Sequence, residues 1–501
     1  MDFLFGNILH GLAVAMTPAN LALCFAGCVL GTLIGVLPGL GPTATVAMLM
    51  PVTFWLDPTG ALIMMAGVFY GSQYGGSTTA ILVNLPGESS SVVTCLDGYA
   101  MARQGRAGAA LAIAALASLF AGTVTTFLIA WAGPAIASVA LQFQSPDYVA
   151  VMVLGLVAAV VLAHGSVVKA VAMILLGIFL GLIGTDVSTS EQRFTFGLDT
   201  LFDGIGFVPL SMGLFGLAEI MFNLEGGAEG NRTRVAINRL WPTRRDFREA
   251  TPAAVRGTLL GCFLGVLPGG GSTIPSFAAY SLEKKLARDP SRFGRGAVQG
   301  VAAPEAANNA GAQACFIPML SLGIPPNAVM ALMVGAMMVH GIQPGPQIIQ
   351  KQPDLFWGLV ASMWIGNLML VVLNLPLIWI WVKLLEVPYR FLFPAVIVLC
   401  GIGVYSLDNR LSDVVLMAFF GVFGYGLRKL ECEPAPLLLG FILGPLLEEN
   451  FRRSLMLTGG DASIFLTRPI SLSFLVVSVI LLAAVLLPAF RQRREQWTEE
   501  A

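Results

Sequence analysis

Continuous apolar stretches constrain this chain more than any other feature. They run at about 20–37, 43–56, 60–70, 107–133, 147–163, 167–184 and 205–222. A second series runs at about 256–281, 296–320, 327–340, 356–382, 391–406, 412–427, 434–447 and 470–489. These stretches do not alternate between apolar and polar residues, so the pattern of a membrane β-barrel is excluded. The 501 residues are 56% hydrophobic and 11% charged, against about 25% charged in soluble domains. At about 20 apolar residues per span, the supply covers about ten to twelve transmembrane helices. The expected fold class is an all-α polytopic membrane protein. Several runs are too short to cross alone, and Gly/Pro-interrupted pairs of this kind form broken helices and re-entrant hairpins.

Charge places the loops. The net charge of −1 offers no basic footprint for nucleic acid. The first 102 residues hold no Lys or Arg, so the basic n-region of a cleavable signal peptide is missing and the first apolar segments are expected to be retained. Arg103 with Arg106, the linker cations Arg232, Arg234, Arg239, Arg244, Arg245, Arg248 and Arg256, and Lys284, Lys285, Arg288, Arg292 and Arg295 mark cytoplasmic loops. Arg428 with Lys429 and the tail residues Arg491, Arg493 and Arg494 join them. The 185–203 loop, with Asp186, Glu191, Asp199 and Asp203 against Arg193, reads as external. Four spans between 107 and 222 then return the chain to the cytoplasmic linker. The organisation expected is an N-terminal transmembrane repeat at 1–223, a basic linker at 224–254, a C-terminal repeat at 255–489 and a cytoplasmic tail at 490–501.

A duplicated motif supports the division. Gly35-Val36-Leu37-Pro38-Gly39-Leu40-Gly41 recurs 230 residues later as Gly265-Val266-Leu267-Pro268-Gly269-Gly270-Gly271. Each copy is followed by a polar segment read as a second hairpin. One is Tyr74–Thr79 running to Asn84-Leu85-Pro86-Gly87, and the other is Pro304–Asn309 running to Ser321–Pro326. Between the two motifs the first half carries no cation and the second carries five; after the second motif the balance inverts. Under the positive-inside rule the two copies face opposite sides, which is the inverted-topology repeat of many secondary transporters.

The chemistry on offer is binding rather than catalysis. No lysine follows a glycine, so there is no Walker A cradle, and no H-E-x-x-H occurs. His10, His164 and His340 sit near span ends. The seven cysteines, Cys24, Cys28, Cys95, Cys262, Cys315, Cys400 and Cys432, form no CxxC pair, so no disulfide or thiolate metal framework is read. No catalytic residue and no cofactor is expected. A chain broken at Gly-Pro-Gly presents free N–H groups and a positive half-helix end, which attract a carboxylate. Hydroxyls and amides orient it or give oxygen to Na⁺. The substrate site is therefore expected at Gly39, Gly41, Thr43, Gly76, Ser77, Thr78 and Asn84 with Gly269, Gly271, Ser272, Asn308, Asn309 and Ser321. Glu305 is the lone carboxylate inside either motif. It either binds a cation or proton, with Asn308 and Asn84, or caps a helix starting after Pro304. The long spans at 107–133 and 356–382 are expected to form a scaffold against which the hairpins move. A self-sufficient channel, a carboxylate transporter without partners and an intramembrane hydrolase are the rival readings.

The chain resembles the large membrane subunit of tripartite tricarboxylate transporters (TctA-type) along most of its length. The resemblance rests on GVLPGLGPT, YGGSTTAILVNLPGE, DGYAMARQGRAG, GVLPGGGST and GVAAPEAANNAG. It continues through RLSDVVLMAFFGVFGYGLRKLECEPAPLLLGFILGPLLEENFRRSL and GGDASIFLTRPIS. Gly403–Asp408, read as an external loop, matches less closely, which weakens a role for that loop. The resemblance implies a small four-helix membrane subunit and a periplasmic solute-binding protein as partners. It also implies carboxylate uptake across a bacterial inner membrane driven by an ion gradient, often Na⁺, with H⁺ as the other candidate. The family spans citrate-like, dicarboxylic and aromatic carboxylates, and the motifs do not choose among them.

Overall fold

The computed structural model describes residues 2–37, 41–162, 166–186, 189–225, 240–267, 271–384 and 389–486. Gly39, Gly269, His164, Arg232, Arg234, Arg239 and the cations of the tail lie outside the described residues. The described chain is helical apart from one antiparallel pair, Gly184–Thr185 with Gln192–Arg193. Nine helices position the site: α1 (Asp2–Ala15), α2 (Pro18–Val36), α3 (Pro42–Phe54), α4 (Pro58–Val83), α5 (Ala107–Ala140), α6 (Arg244–Gly265), α7 (Thr273–Leu286), α8 (Gln299–Ala314) and α9 (Pro353–Asn374). Further apolar helices, among them Ser145–Leu162, Val167–Gly181, Leu411–Lys429, Pro434–Leu457 and Pro469–Leu486, surround them. Pro18–Val36, Ala102–Ala140, Pro353–Asn374 and Leu411–Lys429 are long and apolar enough to cross a bilayer alone. The rest of the span count expected from composition falls on shorter or more polar helices.

Proline sets the boundaries. It occupies the first turn of α2, α3, α4 and α9, where its missing N–H costs nothing. Leu37 precedes Pro38 and is pushed out of helical geometry, to φ −91° and ψ 101°, so α2 stops there. α3 then runs back, and His340 Nε2 meets the Thr53 carbonyl at its far end (3.0 Å). In the second half, the apolar run expected at 256–281 is two helices, α6 and α7, parted at the Pro268 motif. Their open ends are tied by Arg256 donating twice to Glu283, at 2.5 and 2.8 Å.

Each hairpin lies against a central helix through a glycine face. Gly27, Gly31 and Gly35 of α2 rest on the carbonyl oxygens of Met64, Val68 and Ser72; a Cβ on any of the three would overlap them. Gly257, Gly261 and Gly265 of α6, each offset by 230 residues, rest in the same way on Ala303, Ala307 and Gly311 of α8. Close backbone approach through small residues is the usual glue between helices in lipid.

α4 and α8 run in opposite senses. α4 starts beside Asn20 and the Gly358 end of α9. α8 starts at the basic end, where Gln299 donates to Glu249 (3.2 Å), Arg292 pairs with Glu249 (3.0 Å) and Arg106 pairs with Asp246 (2.6 Å). The loops around Thr59 and Ser291 therefore sit at opposite ends of the bundle.

Three expectations are corrected. Tyr74–Thr79 and Pro304–Asn309 lie inside continuous helices, not hairpin loops. Ser77 and Thr78 bond back to the carbonyls of Gln73 (2.9 Å) and Tyr74 (3.4 Å), so polar side chains are satisfied without breaking the helix. The breaks come later, at Asn84 (φ 59°) with Pro86 beyond it and at Gly323 (φ 74°) with Pro325 beyond it. Because α8 starts at Gln299, Glu305 does not cap a helix after Pro304. Gly403–Asp408, read as a loop, forms the last turns of the helix Tyr389–Asp408.

Candidate functional site

α4 and α8 face each other through buried polar residues. Glu305 is fully buried. Ser77 Oγ donates to its Oε2 at 2.5 Å, and Thr94 Oγ1 donates to its Oε1. Beside it, Asn309 Nδ2 donates to Ser118 Oγ of α5 (2.7 Å), to the Glu305 carbonyl (3.1 Å) and to Asn308 Oδ1 (2.6 Å). Asn308 Nδ2 and Asn309 Oδ1 are buried without a partner. A second carboxylate stands near: Gln73 Nε2 donates to Glu88 Oε2 (2.7 Å), and Ser90 Oγ donates to Gln73 Oε1 (2.8 Å). No lysine or arginine contacts Glu305 or Glu88 among the described residues.

The α6–α7 hairpin reaches the same region. Thr273 Oγ1 lies 2.8 Å from Ser89 Oγ, and Ser276 Oγ donates to the Ser90 carbonyl at 2.8 Å. Asp97 closes the basic side: it is fully buried and accepts from the backbone N–H groups of Gly296 and Ala297 (both 2.7 Å) and from Tyr280 (3.0 Å). The chain from Cys95 to Arg106 takes wide π-type turns that lead Thr94 and Asp97 into these contacts.

The expected site residues divide. Ser77, Glu305, Asn308 and Asn309 form one cluster. Thr78 lines a cavity next to it with Tyr74, Ser77, Ser118 and Asn374. Gly76 packs against the Glu88 side chain. Gly271 (φ 48°) and Ser272 lead into Thr273 and so lie by Ser89, with the Gly271 carbonyl against Gly311. Thr43 is half-buried in the first turn of α3, just after Gly41. Asn84 ends α4 and is exposed, seven residues or about 10 Å along the helix from Ser77. Ser321 is elsewhere: its hydroxyl donates to the Gly133 carbonyl (3.2 Å), fifteen residues or about 22 Å along α5 from Ser118.

Sequence reasoning missed Gln73, Glu88, Ser90, Thr94, Ser118 and Asn374. Glu88 was findable, since it follows the Gly87 break directly in a stretch without cations. Ser118 and Asn374 lie in runs read as scaffold, and nothing local marks them. Among the described residues no three His, Cys, Asp or Glu side chains gather in a metal-ligating group. The arrangement can hold a small ion or an anion through neutral oxygens, amides and one buried carboxylate.

The sequence pattern of the "Tripartite tricarboxylate transporter TctA family" matches residues 21–439. An "Uncharacterized 52.8 kDa protein in TAR-I ttuC' 3'region" of Agrobacterium vitis is 55% identical over 493 residues, 98% of either chain. An "Uncharacterized protein in TAR-II ttuC' 3'region" of the same organism is 56% identical over 236 residues, 47% of this chain and 98% of that one. No solved structure matches. By the extent of the first match and of the first relative, the chain belongs to the tripartite tricarboxylate transporter TctA family.

Proposed function

We propose that this chain is the translocating subunit of a binding-protein-dependent secondary transporter that imports a carboxylate by alternating access. The coupling ion is Na⁺ in the first instance, with H⁺ as the alternative. The partners are a small four-helix membrane subunit and a periplasmic solute-binding protein, and the setting is a bacterial inner membrane. Two inverted repeats, 1–223 and 255–489, joined by the linker 224–254, supply the architecture; the opposite senses of α4 and α8 support it. The protein is not an enzyme in this reading.

The carrying observation is the contact between Ser77 and the buried Glu305. It joins the central helices of the two halves in a polar pocket away from any cation. A buried carboxylate without a basic partner favours a bound proton or cation, and release and rebinding of either during transport would make it a coupling element. Unpartnered donors such as Asn308 Nδ2 remain for a substrate carboxylate.

Proteoliposomes with both partners are expected to accumulate a radiolabelled carboxylate only under an imposed Na⁺ or H⁺ gradient. Uptake at full rate without the binding protein, or uptake that requires ATP, overturns the proposal. The repeat is checked by impermeant labelling at two exposed positions, with Asp57→Cys and Ser291→Cys in a cysteine-free chain. One should label from each side; labelling of both from one side overturns the inverted arrangement.

A further inference from the structure

The cavity beside Ser77 is large enough for about one water molecule. It lies where α4, α5 and α9 meet, lined by Tyr74, Ser77, Thr78, Ser118 and Asn374 together with three small or aliphatic residues of α5. Asn374 is 3% exposed, and its Oδ1 has no partner. The orientation of that amide is fixed chemically. Its Nδ2 faces the Leu370 carbonyl (3.0 Å), which can only accept, and Thr32 Oγ1 (3.4 Å), whose own proton goes to Cys28. The remaining oxygen is thus a bare acceptor.

The four hydroxyls have spent their protons elsewhere. Tyr74 donates to Asn367 Oδ1 (3.2 Å), Thr78 to the Tyr74 carbonyl (3.4 Å), Ser118 to the Glu305 carbonyl (3.5 Å), and Ser77 to Glu305 Oε2 or the Gln73 carbonyl. What they still offer is lone pairs. A water there would find acceptors for its two protons and no donor for its own oxygen. A small cation would find oxygens only, with the Glu305 charge one hydroxyl away.

We infer that this cavity is the seat of a dehydrated monovalent cation of Na⁺ size, held by Ser77, Thr78, Ser118 and Asn374 and balanced by Glu305. The inference rests on the ion-coupled reading above and moves its cation from the expected Asn84 and Asn308 to residues of α4, α5 and α9. Because α5 and α9 are the expected scaffold and α4 belongs to the site, a bound cation ties the two together.

Thermal unfolding of the purified full-length protein in NaCl, against choline chloride at equal ionic strength, tests this directly. Wild type should be stabilised saturably by Na⁺ and less by K⁺. Ser118→Ala and Asn374→Ala should each raise the half-saturating Na⁺ about tenfold, the effect of losing one buried oxygen ligand. Ser118→Thr, which keeps the hydroxyl, should restore it, and the Ser118 pair carries the test if Asn374→Ala does not fold. Absence of any Na⁺ effect in wild type means that water alone fills the cavity and overturns the inference, as does a Ser118→Ala curve that superimposes on wild type. Transport separates the two readings. Na⁺-driven uptake with an unchanged half-saturating Na⁺ in both alanine variants removes this seat and leaves ion coupling standing. Wild-type uptake indifferent to every ion gradient removes the coupling itself.

Discussion

α4 and α8 solve one packing problem with different chemistry. Each receives a three-glycine face from its hairpin on a row of backbone carbonyls, at positions 230 residues apart. Yet toward the shared pocket α4 presents neutral hydroxyls, Tyr74, Ser77 and Thr78, while α8 presents a carboxylate and two amides. The backbone mould is repeated and the functional groups are not. A buried carboxylate needs donors, and Glu305 takes two hydroxyl donors, Ser77 and Thr94, from the first half. Neither half completes the site alone.

The comparison is broken most severely at the glycine faces. If the two packings are equivalent, Gly31→Leu and Gly261→Leu should be about equally damaging. Each forces a side chain into backbone that cannot repack, at a cost of about 3 kcal/mol or more. Folded yield and thermal midpoint of the detergent-purified protein measure this, and a tolerant Gly261→Leu beside an unfolded Gly31→Leu would show that only the first packing matters.

Next in size is Glu305→Gln, which keeps shape and removes charge. Transport should fall about 100-fold, with normal yield, as a charge-assisted buried hydrogen-bond set is lost. Ser77→Ala removes a single donor from the same carboxylate and should cost about tenfold. Initial uptake rates in proteoliposomes give both values; equal losses would mean that the hydroxyl, not the charge, carries coupling.

The smallest effect is expected at the basic end. Asp246 is partly buried, which opposes ionisation, but the Thr243 backbone and hydroxyl and the Arg106 guanidinium outweigh this and hold its carboxyl below the ordinary range. A lowered folded-state value contributes stability that is fully present above the usual aspartate value of about 3.9 and is lost as pH falls from there through the folded-state value. Asp246→Ala, which removes the capping box of α6, should cost about 1 kcal/mol at pH 7. The difference from wild type should shrink in acid, as thermal midpoints between neutral pH and pH 3 would reveal; a constant difference would assign the effect to packing.

Much of the bundle was legible in sequence because hydrophobic transfer and backbone satisfaction act locally. The stop at Leu37 follows from Pro38, and the pairing of cations at the α5–α6 end follows from their segregation into loops. The helical state of Tyr74–Thr79 was not legible, because serine and threonine have a weak local preference and only the packing of α2 decides it. The structure brings Ser77, Glu305, Asn308 and Asn309 together, whereas Ser321, assigned by motif position, lies against Gly133. Ser118 was beyond reach: its partner Asn309 is 191 residues away, and an alanine-rich helix gives no local sign that one hydroxyl faces inward.

The glycine faces also act as gearing. Their teeth recur every four residues, about 6 Å along the helix, and each is seated on a backbone carbonyl rather than on a side chain that could rotate aside. Intermediate positions place Cβ-bearing residues on those carbonyls, so the sole alternative mesh is a jump of one whole tooth. Under the proposed alternating access, a hairpin and its helix are therefore expected to travel as one piece, with any sliding left to seams that lack such teeth.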